Sequence, residues 1–117
     1  MENRVTHFEI PAEQPEQSMQ FFKEVFDWRF EQMGEEEYWF AITGDSEPGI
    51  NGAIMKKRHP EQPLANSIRV ENIEATQAMI REAGGEVVVP KTEIPGQGWL
   101  SFFKDLDGYI HGLWQNL

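Results

Sequence analysis

WFAITGDSEPGING at residues 39–52 is followed sixty positions later by WLSFFKDLDGYIHG at residues 99–112, and these two stretches decide the fold. Trp39 falls on Trp99, Asp45 on Asp105, Ile50 on Ile110 and Gly52 on Gly112. Working outward, the helical stretches align at an offset of fifty-eight, with Phe22 over Ile80, Lys23 over Arg81 and Glu24 over Glu82. A two-residue difference in a connecting loop explains the change, because loops absorb insertions while packed elements do not. Two copies of one supersecondary unit therefore account for nearly the whole chain. Repeated units of this length usually cannot bury their apolar faces alone, which places the expected function between them.

Each copy reads as strand, helix, three strands. Arg4 to Pro11 alternates, with Thr6, Phe8 and Ile10 on one face and Val5, His7 and Glu9 on the other, as in a strand covered on one side. Pro15 suits a first helical position, with Glu16 near the positive end of the helix dipole. Met19, Phe22 and Phe26, joined by Phe21 and Val25, form an apolar helical stripe. Trp28–Met33, Tyr38–Thr43 and Ile50–Lys56 read as strands. In the second copy Ser67–Glu71 is a strand, Asn72 a helix N-cap, and Ala75, Ala78 and Met79 a smaller stripe ending at Gly84-Gly85. Val87–Val89, Trp99–Lys104 and Tyr109–Trp114 complete it, with Asp105-Leu106-Asp107-Gly108 as the last tight turn. The boundaries expected are a first module over 1–57, a linker over 58–64 rich in proline and polar residues, and a second module over 65–117.

Composition excludes several function classes. Twenty acidic residues face ten basic ones, and a net charge of −10 repels phosphate backbones, so no nucleic-acid partner is expected. The same surplus suits solubility, or a cationic ligand. Cysteine is absent, which removes thiolate catalysis, thiolate metal sites and disulfides. Met1 to Val5 is no apolar leader and no run is long enough to span a bilayer, so a cytoplasmic location without membrane attachment is the expectation. There is no nucleophile elbow, phosphate-binding glycine loop or H-E-x-x-H sequence. Asp105 and Asp107 lack the further oxygen ligands of a calcium loop.

His7-Phe8-Glu9-Ile10, Phe21-Phe22-Lys23-Glu24-Val25-Phe26-Asp27-Trp28, Gly98-Trp99 and the ending Asp105-Leu106-Asp107-Gly108-Tyr109-Ile110-His111-Gly112-Leu113-Trp114-Gln115 together resemble the vicinal oxygen chelate superfamily, the glyoxalase, bleomycin-resistance and extradiol-dioxygenase group. The resemblance implies an α+β fold, two βαβββ modules forming an incomplete barrel around a cleft, often completed by pairing of two subunits. It also implies metal ligands on the first and last strand of each module, at positions matching His7, Gly52, Ser67 and Gly112, or Ala65 in place of Ser67 if the helix offset extends back through the strand. Of these only His7 is a good ligand, because glycine and alanine offer no donor and a neutral hydroxyl is a poor one. No metal and no other cofactor is therefore expected.

The candidate ligand-binding residues are His7, Glu9, Trp39, Ser67, Arg69, Trp99 and Trp114. Imidazole as a class exchanges protons near neutrality, so His7 is either a hydrogen-bonded sheet histidine or a general base, which makes it the one catalytic candidate. Glu9 shares its face. Arg69 either holds a carboxylate ligand or neutralises Glu9 or Glu71. Trp39, Trp99 and Trp114 either belong to the core or wall an apolar pocket, and Trp114 shares the phase of Gly112. His59 lies in the linker, and His111, with the opposite phase, is assigned to solvent or an interface. Two functions fit: metal-free binding or sequestration of a small molecule, cationic and aromatic, in the inter-module cleft, or a glyoxalase-type lyase or isomerase transferring a proton with His7. Exposed sheet edges further suggest a homodimer.

Overall fold

A computed structural model describes residues 3–117, so Met1 and Glu2, the start of the stretch read as no apolar leader, lie outside the described residues. Ten elements follow in chain order: β1 (Arg4–Ala12), α1 (Pro15–Phe26), β2 (Arg29–Gln32), β3 (Tyr38–Ile42), β4 (Gly52–Lys56), β5 (Ala65–Arg69), α2 (Ile73–Glu82), β6 (Glu86–Ile94), β7 (Gly98–Lys104) and β8 (Ile110–Asn116). The chain is α+β, and strand, helix, three strands occurs twice. Two compact units result. One spans His7–Leu64, including the stretch expected to be a linker, and the other joins Ala65–Leu117 to the described residues 3–6.

In the first unit the strand order is β2-β3-β4-β1, with β1 and β4 parallel and the other pairs antiparallel. Glu9 pairs with Ala53 and Ala12 with Lys56. Pro15 opens α1 as a first-turn proline, and the helix stops at Asp27, which takes a left-handed conformation (φ 61°) and donates its N–H to Lys23 O. Met19 is buried with Ala12 and Ile54, and Ile10, Phe22, Phe30 and Trp39 pack around them. The expected stripe is only half used. Phe21, Val25 and Phe26 are each more than half exposed, because positions 19 and 22 already span the face that meets the sheet. Phe26 instead adds to a ring cluster in which Phe22 stacks on Trp28 at 4.6 Å and 6°.

The second unit has the order β5-β8-β7-β6, again with its first and last strands parallel. Asn72 caps α2 by accepting the Ala75 N–H at 2.9 Å, as its side-chain chemistry predicts. The face that α2 buries is not the expected one: Ala75, Ala78 and Met79 are exposed, while Ile73 and Gln77 are buried and Ile80 packs on the core of Val70, Ile73 and Leu113. Gln77 is admitted because a partner waits for it. Its amide donates to Ser101 Oγ at 3.0 Å, and the fully buried Ser101 donates on to Val89 O at 2.7 Å. The Asp105 turn forms as expected, with Asp105 Oδ1 accepting from the N–H groups of Asp107 and Tyr109 and Gly108 at φ +88°.

Candidate functional site

The cores fix which side chains face away from the helices. In the first unit Ile10, Ala12 and Ile54 point to α1, so alternation turns His7 and Glu9 of β1, Ala53 and Met55 of β4, and Tyr38 and Phe40 of β3 to the opposite face. In the second unit Ile68, Val70 and Leu113 point to α2, leaving Ser67, Arg69, Gly112 and Trp114 on the other face.

On the first of these faces three polar side chains meet. Tyr38 Oη donates to Glu9 Oε2 at 3.0 Å and lies 3.1 Å from His7 Nε2, and Nε2 is 3.8 Å from the same Glu9 oxygen. Glu9 and Tyr38 stand on strands either side of β4 and reach each other above it. Their strand partners on β4 are Ala53 and Met55, and the single methyl of Ala53 leaves the crossing open. Phe40 braces the phenol edge-on at 5.5 Å. Burial, then the nearby Glu9 charge, then the hydrogen bond to Glu9 push the Tyr38 hydroxyl far above its ordinary range. Tyr38 is consequently a neutral donor at any physiological pH. His7 and Glu9 retain 28 % and 20 % side-chain exposure, so both stay in contact with solvent.

Tyr38 was not among the residues read from the sequence. In the sixty-residue repeat Trp39 has Trp99 as its counterpart, whereas Tyr38 has Gly98, so the repeat carries no signal at Tyr38. Alternation was the available signal, since Tyr38 shares the phase of Phe40 and is opposite to Trp39. A shallow hollow of about 370 Å³ also borders Tyr38, lined by Glu36, Glu37, Lys56, Lys57 and Arg58 among others.

The remaining expected residues separate. Trp39 belongs to the α1-side core and lines a hollow of about 400 Å³ with Met19, Lys23 and Phe30. Trp99 belongs to the α2-side core, with Lys91 Nζ 5.0 Å from its ring centroid. For both, the core alternative left open by the sequence is the position observed, on the face opposite to His7 in one unit and to Ser67 in the other. Trp114 lies on the same face as Ser67, paired with Arg69 and Leu100, with its indole N–H donating to Asn116 Oδ1 at 2.8 Å. His111, expected at solvent or an interface, keeps 35 % side-chain exposure and also has two partners. It bonds Asp105 Oδ2 at 2.8 Å and stacks on Phe103, which lowers the Asp105 carboxyl.

The four positions matched to metal ligands are also redistributed. A Cβ on Gly52 would sit 2.5 Å from the Phe8 ring, so Gly52 faces the α1 side and cannot share a site with His7. Ser67 pairs with Gly112 as Glu9 pairs with Ala53, so the offset of fifty-eight does run back through the strand and Ala65 is the counterpart of His7. A divalent ion on this face would find one imidazole and a carboxylate whose oxygen already accepts from Tyr38. Among the described residues no three His, Cys, Asp or Glu side chains converge. The residues do not fit a transition-metal centre.

Comparison with known proteins agrees with the architecture. Residues 4–111 match the Glyoxalase/Bleomycin resistance protein/Dioxygenase superfamily. The chain belongs to that superfamily. No functionally curated protein matches the sequence at a significant level. Among solved structures, a hypothetical protein from Bacillus halodurans C-125 superposes with a TM-score of 0.71 at 13 % identity, covering 98 % of this chain and 95 % of that one. Methylmalonyl-CoA epimerase from Streptomyces coelicolor, in complex with 2-nitronate-propionyl-CoA, gives 0.67 at 14 % identity, covering 99 % and 96 %. The Mycobacterium tuberculosis methylmalonyl-CoA epimerase gives 0.68 at 11 %, covering 97 % and 87 %. At these identities the likeness is one of fold, and a superfamily fold hosts many chemistries.

Proposed function

We propose that this glyoxalase-superfamily member binds a small organic molecule without a resident metal, using the face that carries His7, Glu9 and Tyr38. The observation that supports this is the His7–Tyr38–Glu9 group itself: a few converging polar atoms, partly exposed, beside the apolar Phe40 and Met55, which is the composition of a small-molecule site. Ser67, Arg69 and Trp114 give the second module its own polar and aromatic face. A cationic aromatic ligand suits the net charge of −10, and a cation over an indole such as Trp114 gains roughly 0.5–2 kcal/mol. A second copy of the chain is the proposed partner in solution.

Titration with zinc, nickel, manganese and iron(II) followed by calorimetry should give weak, non-stoichiometric heats. Stoichiometric submicromolar binding abolished by His7→Ala would overturn the metal-free reading. A panel of cationic aromatics should shift the His7 ring signals in NMR spectra; a panel that moves none of them counts against ligand binding here.

A second reading has one observation in its favour. An imidazole hydrogen-bonded to a neutral phenol is also the arrangement of a proton-transfer site, which would make the chain a lyase or isomerase with His7 as base. Methylmalonyl-CoA epimerases are among the proteins sharing the fold. Under this reading His7→Ala lowers a turnover rate on the order of 10²-fold or more, whereas a binding protein exchanges no ligand C–H proton with deuterated solvent.

A further inference from the structure

A phenol has one proton to give, and an ionised carboxylate has none. Tyr38 Oη is within hydrogen-bond distance of both Glu9 Oε2, at 3.0 Å, and His7 Nε2, at 3.1 Å. Both contacts are hydrogen bonds only if the phenol donates to Glu9 and accepts from the imidazole. Were the phenol to donate to His7 instead, its oxygen and the Glu9 oxygen would face each other with no proton between them. The same Glu9 oxygen, 3.8 Å from Nε2, attracts a hydrogen on that nitrogen as well. Nε2 therefore carries the hydrogen, and in the neutral ring the lone pair sits on Nδ1.

Resting on the reading of this face as a ligand site, we infer that His7 meets its ligand as a hydrogen-bond acceptor through Nδ1, so that the site takes molecules bringing an N–H or O–H donor, such as phenols, amides or amidinium ions, over ethers and anions of the same shape. Glu9 sets the sign. Tyr38 shares a proton with it without neutralising it, so a neutral His7 leaves the group with a net negative charge, which repels carboxylates and phosphates. Tyr38 is thus a positioning residue: it acts on the ligand through the ring it orients, and it cannot relax the arrangement by ionising because burial and Glu9 keep it protonated.

The test reads the ring and the ligand separately. Long-range nitrogen–proton NMR correlations at about pH 8, above the ordinary imidazole range, should show His7 protonated on Nε2 in the wild type. Glu9→Leu removes the acceptor, frees the Tyr38 proton for Nε2 and should move the hydrogen to Nδ1. 4-Ethylphenol should bind the wild type on the order of tenfold more tightly than 4-ethylanisole, and benzamidine more tightly than benzoate; both preferences should shrink to about twofold or less in Glu9→Leu, whereas Tyr38→Phe, which keeps the Glu9 charge, should shrink the first and keep the second. Tyr38→Phe keeps the ring that packs on Phe40, so it serves if Glu9→Leu does not fold. A wild-type His7 protonated on Nδ1, or a ring unmoved by Glu9→Leu, overturns the inference. Equal binding of 4-ethylphenol and 4-ethylanisole overturns the ligand class while leaving a ligand site in place. Binding of none of the four overturns the ligand site as well.

Discussion

Tyr38 makes an alkaline weak point in this protein, and Tyr38→Phe measures it. In the unfolded chain the phenol ionises near its ordinary pKa of about 10. In the folded state burial and Glu9 raise it far above that. A raised folded pKa means that the native state keeps a proton the unfolded chain has lost. The stabilisation is therefore complete below pH ~10 and is lost as pH rises towards the folded value. In that window the unfolded state holds one proton fewer, so Tyr38 alone removes about 1.4 kcal/mol of stability per pH unit. At neutral pH the same substitution deletes a hydrogen bond to a charged carboxylate, worth about 1.5–3 kcal/mol. The lower end applies because His7 and Glu9 are partly exposed and water can replace the phenol. Tyr38→Phe should thus be less stable than wild type at pH 7 and should converge on it above pH ~10. Urea unfolding at a series of pH values gives both curves, and their difference cancels the contribution of lysines. The chain has two tyrosines, so tyrosinate absorbance should appear in two steps, with the Tyr38 step tracking loss of structure. Wild type and Tyr38→Phe curves that run parallel from pH 9 to pH ~12 would refute the buried Tyr38–Glu9 bond.

Other perturbations test the scaffold. Ser101→Ala strands the buried Gln77 amide and should cost about 1–3 kcal/mol in chemical denaturation; adding Gln77→Leu should recover part of it, and no recovery would mean that the Gln77–Ser101 bond contributes little. A Cβ on Gly98 would sit 2.7 Å from Cζ2 of Trp114, so Gly98→Ala should destabilise by about 1–3 kcal/mol and alter the Trp114 fluorescence; an unchanged spectrum would show that the indole is not held there. Asp105, lowered first by its His111 bond, contributes stability above the ordinary carboxyl range that is lost as pH falls through the lowered value. Asp105→Asn should therefore flatten the acid end of the stability curve, and an unchanged acid transition would remove the pair from the account. Light scattering at micromolar concentration should give the mass of a dimer, and a monomer there would remove the second copy as partner.

Periodicity and local chemistry made much of this chain legible in advance. The two modules, the Pro15 start, the Asn72 cap and the Asp105 turn all follow from rules acting within a few residues, and the sixty-residue repeat carries them across the chain. Alternation along β1 put His7 and Glu9 on one face. What alternation does not carry is register between strands. A one-residue difference in how β4 lies beside β1 decides that Gly52 meets Phe8 and that Ala53 stands beside Glu9. The repeat aligned Gly52 with Gly112, yet the two face opposite ways relative to their helices, because strand register makes Ala53 the counterpart of Gly112, and a slip of one residue from the sixty-residue offset reverses every side chain's face.

The same limit explains the aromatics and the missed tyrosine. Composition identifies Trp39, Trp99 and Trp114 as large apolar groups, but only packing against Met19 and Ile54, or against Ile73 and Leu113, assigns the first two to cores. Tyr38 reads alone as an ordinary strand residue. It joins the His7–Glu9 group because β4 lies between β3 and β1 with alanine at the crossing point, which brings together side chains about thirty positions apart. The sequence by itself determined the modules, the caps and the alternating faces, since these follow from neighbouring side chains and backbone preferences. Tertiary structure decided which faces are covered, which glycine is a contact and which hydroxyl completes the His7–Glu9 group, since those depend on strand register, which no local preference encodes.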